Sequence, residues 1–189
     1  RRWAQDVETR TPGFFSRLLA QQTPQYLWIG CADSRVPANE ILGLLPGDVF
    51  VHRNVANVVV HSDLNALSVV QYAIDMLQVR HIMVVGHYGC GGVLAALQNR
   101  RIKHRTWLDG MTDETLKLKA LCELNVLEQT LNLCETTVVQ DAWTRGQEVV
   151  VHAWVYGLHN GLIEDLKLSV DAAGDLAAAY GLAMGALKN

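Results

Sequence analysis

Two stretches of sequence decide the fold, YLWIGCADSR at residues 26–35 and HIMVVGHYGCGG at residues 81–92. Each begins with a short apolar run, which is typical of a buried strand, and each then passes into a loop of small and polar residues. Apolar runs at residues 48–51 and 148–155 predict two further strands.

The segments between the strands have helical patterns. Residues 112–146 read as two helices, and residues 62–77 read as one, with Ser62 as the predicted N-cap. The apolar stripe of that helix consists of Leu64, Leu67, Val70, Ile74 and Leu77. Strands that alternate with helices predict an α/β fold, with a largely parallel central sheet flanked by helices.

The N-terminal segment, residues 1–21, is predicted to be a helical arm interrupted by a turn at Thr11-Pro12-Gly13. Because its own sequence neighbourhood offers it little to pack on, we expect the arm to pack on a partner subunit. Residues 22–189 then form the α/β core. No long linker or internal repeat divides the chain, so residues 1–189 are expected to be a single domain.

Composition excludes several classes of protein. Half of the 189 residues are hydrophobic, which is enough to build a core and excludes wholesale disorder. With 16 basic and 19 acidic residues the net charge is −3, so we expect no nucleic-acid partner. No apolar stretch is long enough to span a membrane. The four cysteines show no dense pairing pattern, which favours a metal site or a reducing compartment, and we expect a cytoplasmic protein.

Cys31, His87 and Cys90 form a candidate metal site. All three follow predicted strands, and ligand sites of open α/β sheets gather beyond the carboxyl ends of the strands. Thiolates and imidazole suit Zn²⁺, and three protein ligands leave one tetrahedral position open, as in catalytic zinc sites. Taken singly, each residue reads better as an ordinary buried cysteine or histidine. Together they favour a metal.

Asp33 and Arg35 lie close in sequence to the first candidate ligand. The carboxylate can either move to the zinc and fill its fourth position, or accept a proton near the metal while Arg35 holds it in place. A guanidinium presents a planar fork that fits a carboxylate. The alternative is an ordinary surface ion pair, worth about 0–1 kcal/mol.

These motifs resemble those of the β-class carbonic anhydrases. The resemblance rests on CADSR at 31–35 and GHYGCGG at 86–92, and it covers nearly the whole chain. Further matching motifs are FVHRNVAN at 50–57, LSVVQY at 67–72, CELNV at 122–126 and HAWVY at 152–156.

The resemblance implies a zinc enzyme that interconverts carbon dioxide and bicarbonate, with zinc-bound hydroxide as the nucleophile. Cys31, His87 and Cys90 would be the ligands of one zinc ion per subunit, and Asp33 with Arg35 the catalytic dyad. The substrate site would comprise Gln22 from the partner subunit, the entrance residues Phe50, Val55 and Tyr72, and the Gly91 amide. The alternative for the three entrance residues is plain core packing. A dimer or tetramer is implied.

Trp28, Arg53 and Tyr156 match a non-catalytic bicarbonate pocket in the allosteric branch of that family. We therefore expect bicarbonate and low pH to favour a closed state in which Asp33 ligates zinc. The alternative is that the two aromatic residues are simply buried and that Arg53 pairs with a carboxylate.

Other functions remain open from the sequence alone. Related enzymes with this site hydrolyse carbon disulfide or carbonyl sulfide, and a structural zinc module or a thiol-redox role for Cys31 and Cys90 is also conceivable. Cys122 and Cys134 are expected to be core residues. Residues 98–112 form a shorter segment than the family leads one to expect, through either a real deletion or an omitted loop.

Overall fold

The computed structural model describes residues 1–20, 22–98, 108 and 110–188. Two helices come first, α1 (Arg2–Arg10) and α2 (Phe14–Ala20), with the predicted turn between them. The remaining helices are α3 (Ala38–Leu42), α4 (Leu64–Gln71), α5 (Gly91–Gln98), α6 (Glu114–Cys134), α7 (Thr137–Thr144) and α8 (Leu176–Lys188). The strands are β1 (Tyr26–Cys31), β2 (Val49–Asn54), β3 (His81–His87), β4 (Val150–Tyr156) and β5 (Ile163–Val170).

The strands form one five-stranded sheet in the order β2-β1-β3-β4-β5. The first four strands are parallel to one another, and β5 runs antiparallel to β4. The predicted α/β fold with a largely parallel sheet is therefore confirmed. β1 lies in the middle between β2 and β3, so the loops that follow these three strands leave the sheet side by side.

The four predicted strands and the two helices within residues 112–146 are present, with small shifts at their ends. The helix predicted at 62–77 needs correction. Its N-cap is Asp63, whose side chain accepts a hydrogen bond from the Asn65 amide, and not Ser62. Leu64, predicted to lie on the buried stripe, is 79% exposed because it occupies the first turn, where the helix leaves the core.

The helix also changes its winding before it ends. Residues Tyr72–Met76 form a π-helical segment, which continues directly from α4. One wider turn rotates the side chains that follow relative to the α-helical stripe, and such segments are frequent at functional sites. Val70 and Ile74 are buried as predicted, whereas Tyr72 and Met76 are exposed.

The two faces of the sheet are covered unequally. Helices α4, α6 and α8 contribute to the main core on one face, where Leu27, Ile29 and Cys31 of β1 point. The opposite face carries a smaller cluster around Trp28, Met83 and Val85, packed against the α3 region. Within the described residues, no helix is long and apolar enough to cross a bilayer.

Candidate metal centre and active site

The parallel pairing of β1 with β3 brings the three candidate ligands together. Gly30 of β1 pairs with Val85 of β3, so Cys31 and His87 end neighbouring strands at the same edge of the sheet. Cys90 follows two residues of turn after His87, and the turn contains Gly89 with a φ of 69°. A left-handed φ is available to glycine without steric cost, so the chain can reverse here and direct Cys90 back towards Cys31.

The three ligand atoms fit a tetrahedral soft-metal site. They all lie within 4.8 Å of one another, and the two thiol sulfurs are 3.9 Å apart. Two thiolates on one tetrahedral zinc ion, with Zn–S about 2.3 Å, stand about 3.8 Å apart. All three side chains are buried, and among the described residues this is the one cluster of three such ligands. A fourth position is left for water, substrate or a nearby carboxylate.

The imidazole of His87 is oriented for ligation. Its Nδ1 lies 3.1 Å from the carbonyl oxygen of Tyr88. Because a carbonyl oxygen can only accept, Nδ1 carries the ring proton and donates a hydrogen bond to it. Its Nε2 is buried and has no hydrogen-bond partner among the described residues. Burial lowers the pKa of His87, which keeps the ring neutral and its Nε2 lone pair available. An orphaned buried nitrogen aimed at two thiols is the arrangement that a metal ion would satisfy.

Backbone amides point at both sulfurs. The Ala56 amide lies 3.4 Å from Cys31 Sγ, and the amides of Gly92 and Val93 hydrogen-bond to Cys90. Burial raises the pKa of the Cys90 thiol, whereas these amides lower it. Amide donors and a bound cation both stabilise the thiolate form, so they act together against the cost of burying its charge.

Asp33 and Arg35 form a bidentate pair beside the cluster. Arg35 Nε donates to Asp33 Oδ1 at 2.9 Å, Arg35 NH2 donates to Oδ2 at 2.7 Å, and the Arg35 amide also donates to Oδ1. The side-chain hydrogen bond from Arg35 is the largest cause of a lowered Asp33 pKa, so the carboxyl is ionised. Asp33 Oδ2 lies 3.7 Å from His87 Nε2, which places the carboxylate next to the ligand atoms.

The predicted substrate residues separate into two groups. Val55 and Gly91 lie at the cluster of their own chain. Gly91 begins α5 directly after Cys90, and the space beside its Cα is open. Val55 begins the 3₁₀ turn Val55–Asn57 and packs so closely on Gly92 that a Cβ there would lie 2.8 Å from its Cγ1.

Gln22, Phe50 and Tyr72 are not brought to that cluster. Phe50 pairs with Leu27, four residues before the end of β1, which puts it about 13 Å along the strand from Cys31. Tyr72 stays with Phe50, their ring centroids being 5.8 Å apart. Gln22 precedes β1, and its neighbour Thr23 lines a pocket with Gly47 and Asp48 just before β2, at the end of the sheet opposite Cys31. Within one chain, these three residues therefore lie away from the cluster of Cys31, His87 and Cys90.

Trp28, Arg53 and Tyr156 share the sheet face opposite the main core. Trp28 is fully buried, and its Nε1 has no hydrogen-bond partner among the described residues. The indole covers Gly30, where a Cβ would lie 2.1 Å from that nitrogen. Arg53 pairs with Gly30 in the sheet, and its guanidinium donates to the carbonyl oxygens of Cys31 and Asp33. The alternative in which Arg53 pairs with a carboxylate is therefore not what these contacts show.

Sequence reasoning missed several residues around the centre. The Tyr88 hydroxyl lies 2.6 Å from Glu123 Oε1 of α6 and 3.0 Å from Glu164 Oε2 of β5, which ties the ligand loop to both elements. Glu164 belongs to a strand that was not predicted, so no signal in the sequence placed it there. Most of the short 98–112 segment lies outside the described residues.

Comparison with known proteins agrees with this geometry. A family model described as carbonic anhydrase matches residues 26–117 and 101–163. A carbonic anhydrase of Emericella nidulans is 43% identical over 201 residues, covering 98% of this chain and 88% of that protein.

Solved structures show the same fold. The Coccomyxa β-carbonic anhydrase, solved in complex with acetazolamide, matches with a TM-score of 0.86 at 35% identity, covering 94% of this chain and 87% of that one. A match from the two tetrameric β-carbonic anhydrases of the filamentous ascomycete Sordaria macrospora has a TM-score of 0.83 at 36% identity, covering 89% of this chain and 93% of that one.

Proposed function

This chain belongs to the β class of the carbonic anhydrase family, and we propose that it catalyses the reversible hydration of carbon dioxide to bicarbonate and a proton at the centre of Cys31, His87 and Cys90. The observation that carries the proposal is the set of three buried soft ligands with an ionised carboxylate beside it. A purely structural zinc site is closed by four protein ligands, whereas this cluster provides three.

The side chains match the charge of Zn²⁺. Two thiolates and one neutral imidazole carry −2, which balances the ion, and the amides at both sulfurs moderate the donation of the thiolates. When bound there, zinc supplies a Lewis acid that lowers the pKa of water in the fourth position from 15.7 to about 7 in favourable sites.

Asp33 and Arg35 are proposed to be the catalytic dyad. Because Arg35 engages both carboxylate oxygens, Asp33 stays ionised and turned to the cluster, where it accepts a hydrogen bond from the reacting water and orients it. The Gly91 amide and Val55 border the same space, as a donor to a substrate oxygen and an apolar wall for carbon dioxide.

Asp33 is also proposed to be the gate of the site. Its Oδ2 is 3.7 Å from His87 Nε2, and two ligand atoms of one tetrahedral zinc lie about 3–4 Å apart. A small rotation of the Asp33 side chain would break its hydrogen bonds to Arg35 and place the carboxylate in the fourth position of the metal site. Since that state excludes water and substrate, we expect it to be inactive and to be favoured at low pH.

The switch that moves the gate is proposed to be bicarbonate bound by Trp28, Arg53 and Tyr156. Trp28 Nε1 is a buried donor without a partner among the described residues, and Tyr156 provides a hydroxyl on the same face. Arg53 holds the Asp33 carbonyl, and an anion that draws the guanidinium away releases the backbone of Asp33. Coupling between the pocket and the gate would thus run through one side chain.

Self-association is proposed to complete the substrate site. Trp3, Phe15, Leu18 and Leu19 of the residue 1–21 arm are exposed, which suits an arm that packs on a partner subunit, while residues 22–189 form the core. Gln22, Phe50 and Tyr72 lie too far from the metal centre of their own chain, so we assign them to the centre of the partner in a dimer or tetramer. The cytoplasmic location stays a prediction, to be checked by fractionation of expressing cells.

Stopped-flow carbon dioxide hydration across pH, with and without added bicarbonate, tests the function and its regulation. We expect the zinc-loaded wild type to gain activity as pH rises and to be inhibited by bicarbonate. Arg53→Ala should lose the inhibition, whereas Arg80→Ala, an exposed arginine at the other end of the sheet, should keep it. A wild type that is indifferent to bicarbonate and equally active at low pH would contradict the switch. Faster turnover of carbonyl sulfide or carbon disulfide than of carbon dioxide would show that one of these is the preferred substrate instead.

Subunit mixing tests the shared site. Cys90→Ser lacks a metal ligand but keeps Gln22, and Gln22→Ala has the opposite defect. In random mixed dimers one site in four combines both intact parts, so about a quarter of the wild-type activity should return. The absence of any gain over the separate variants, with subunit exchange verified, would place Gln22 outside the partner's site.

A further inference from the structure

Three amide side chains on α6 form a row that contacts the backbone of residues 56–59, next to the metal centre. They are Asn125, Gln129 and Asn132. We propose that this row, and Asn125 above all, positions the Ala56 amide on the sulfur of Cys31 and so sets how strongly that thiolate donates to the metal. Asn125 is then a positioning residue, which acts through Ala56. The inference rests on the proposed metal centre, and its test separates the two.

The backbone at this point is held in a strained conformation. Ala56 has a φ of 63° and Asn57 a φ of 47°, so two consecutive residues with side chains are left-handed. For Ala56 this costs about 1–2 kcal/mol relative to a right-handed backbone, whereas asparagine adopts it more readily. A conformation of this kind persists only where its surroundings enforce it, and it clusters at functional sites.

The enforcing contacts are amide hydrogen bonds. Asn125 Nδ2 donates to the Ala56 carbonyl at 2.9 Å. Gln129 Nε2 donates to Asn125 Oδ1 at 3.2 Å, which fixes the direction of the Asn125 amide. Gln129 Oε1 in turn accepts from the Val59 amide at 2.8 Å, and Asn132 Nδ2 donates to the Val59 carbonyl at 3.1 Å. The row therefore contacts the strained turn at both ends.

The spacing of the row explains why one helix can provide it. Residues 125, 129 and 132 are separated by four and three positions, so they lie on one face of α6. On the other side of the turn, Asn54 accepts from the Val58 amide and donates to the Val58 carbonyl, both at 2.7 Å. The turn is thus clamped between the end of β2 and α6.

The clamp has a consequence at the metal centre. A left-handed Ala56 directs its carbonyl to Asn125 and its N–H to Cys31 Sγ, 3.4 Å away. An N–H···S bond withdraws electron density from the thiolate, and weaker donation by the thiolate leaves a bound metal ion more acidic. Hydrogen bonds of this kind around a ligand typically change metal affinity by about 10–100-fold when they are lost.

The test uses Co²⁺ as a spectroscopic probe in the full-length protein. In Asn125→Ser the serine side chain is too short to reach the Ala56 carbonyl, so the substitution should release the turn. We expect the thiolate-to-cobalt charge-transfer band to move to lower energy, because the thiolate loses a donor. The dissociation constant for Zn²⁺, measured by chelator competition, should rise about 10–100-fold, because the amide no longer offsets the cost of burying the thiolate charge and this outweighs the stronger donation. Gln129→Met, which frees the Asn125 amide but spares its contact, should shift both in the same direction by less.

Gln140→Ala is the matched control. Its side chain donates to the Cys134 carbonyl at 2.7 Å, which is also an amide-to-backbone bond beside α6, and it has no recorded hydrogen bond to the described residues 54–59. It should lower the unfolding temperature with the cobalt band unchanged. If both Asn125→Ser and Gln129→Met lower stability but leave the band and the zinc affinity unchanged, the row has a purely structural role and the inference is overturned. If the wild type shows no thiolate-to-cobalt band, the proposed metal centre itself fails.

Discussion

The four cysteines of this chain occupy two regions that differ in chemistry although they are equally buried. Cys31, at the end of β1, and Cys90, in the loop after β3, are 4% and 2% exposed. Cys122 and Cys134, on α6, are 1% and 0% exposed. Burial therefore does not distinguish a ligand from a core residue here. The neighbours do.

At the strand ends, each thiol belongs to the cluster of three ligand atoms and has amide donors directed at it. Cys122 also has amide donors, from Gly89 and Cys90, but burial outweighs them. On α6, burial dominates, raising the pKa of Cys122 to about 11 and that of Cys134 to about 12. Among the described residues neither α6 thiol belongs to a group of three ligand atoms. The expectation that Cys122 and Cys134 are core residues agrees with their places in the main core.

The largest difference between the regions should appear when one thiol of each is changed to a hydroxyl. Cys90→Ser removes a soft ligand, and we expect it to lose most of the bound zinc and more than about 100-fold of the activity, since catalysis depends on the metal. Zinc content by mass spectrometry and stopped-flow hydration measure both.

Cys134→Ser is the paired control, because it places the same hydroxyl in the α6 region. Zinc stoichiometry should stay at one per subunit. Carbon dioxide hydration that survives in metal-free Cys90→Ser would show that the ligand assignment is wrong.

Thiol alkylation at pH 8 should separate the regions kinetically. After chelation we expect two thiols, Cys31 and Cys90, to react at least about 10-fold faster than the α6 pair. The end of a strand and the loop beside it open at a lower free energy than the middle of a packed helix, and few α6 thiols are ionised. Peptide mass spectrometry identifies the labelled residues. In the zinc-loaded protein all four should be protected, and early labelling of Cys134 would contradict the assignment.

Alkaline pH should destabilise the wild type through the α6 region. The folded pKa of Cys134 is about 12 against an ordinary 9.0, so the unfolded chain releases its proton first and stability falls as pH rises above 9.0. The loss attributable to Cys134 is about 1–2 kcal/mol between pH 9 and 10.5. Urea unfolding of the wild type and Cys134→Ala across this range measures it, and parallel pH profiles of the two proteins would argue against the raised pKa.

The smallest effect is expected at neutral pH. Cys134→Ala deletes one buried sulfur atom from the main core, which should cost about 1 kcal/mol in the free energy of unfolding. Activity and zinc content should not change. A loss of activity without a loss of stability would show that Cys134 affects the metal centre directly and is more than a core residue.

Much of this protein was determined by its sequence alone. Apolar runs of strand length alternating with helical stripes predicted the parallel sheet, because local periodicity reports which face of an element is buried. Cys31, His87 and Cys90 could be predicted as a cluster because cysteine and histidine are metal-binding residue types. All three stand at or just after the ends of strands, and in a parallel sheet those ends lie side by side. Asp33 and Arg35 were found because they are only a few residues away.

Only the tertiary structure decided the rest. It showed that Phe50 and Tyr72 lie together about 13 Å along the sheet from Cys31, although the motifs containing them resembled one continuous site. It also showed that Asn125, 69 residues from Ala56 in sequence, holds the turn whose amide contacts Cys31. The periodicity of a sequence shows which side of one helix or strand is buried. The distance between residues on different elements depends on how those elements pack, and no local sequence pattern encodes it.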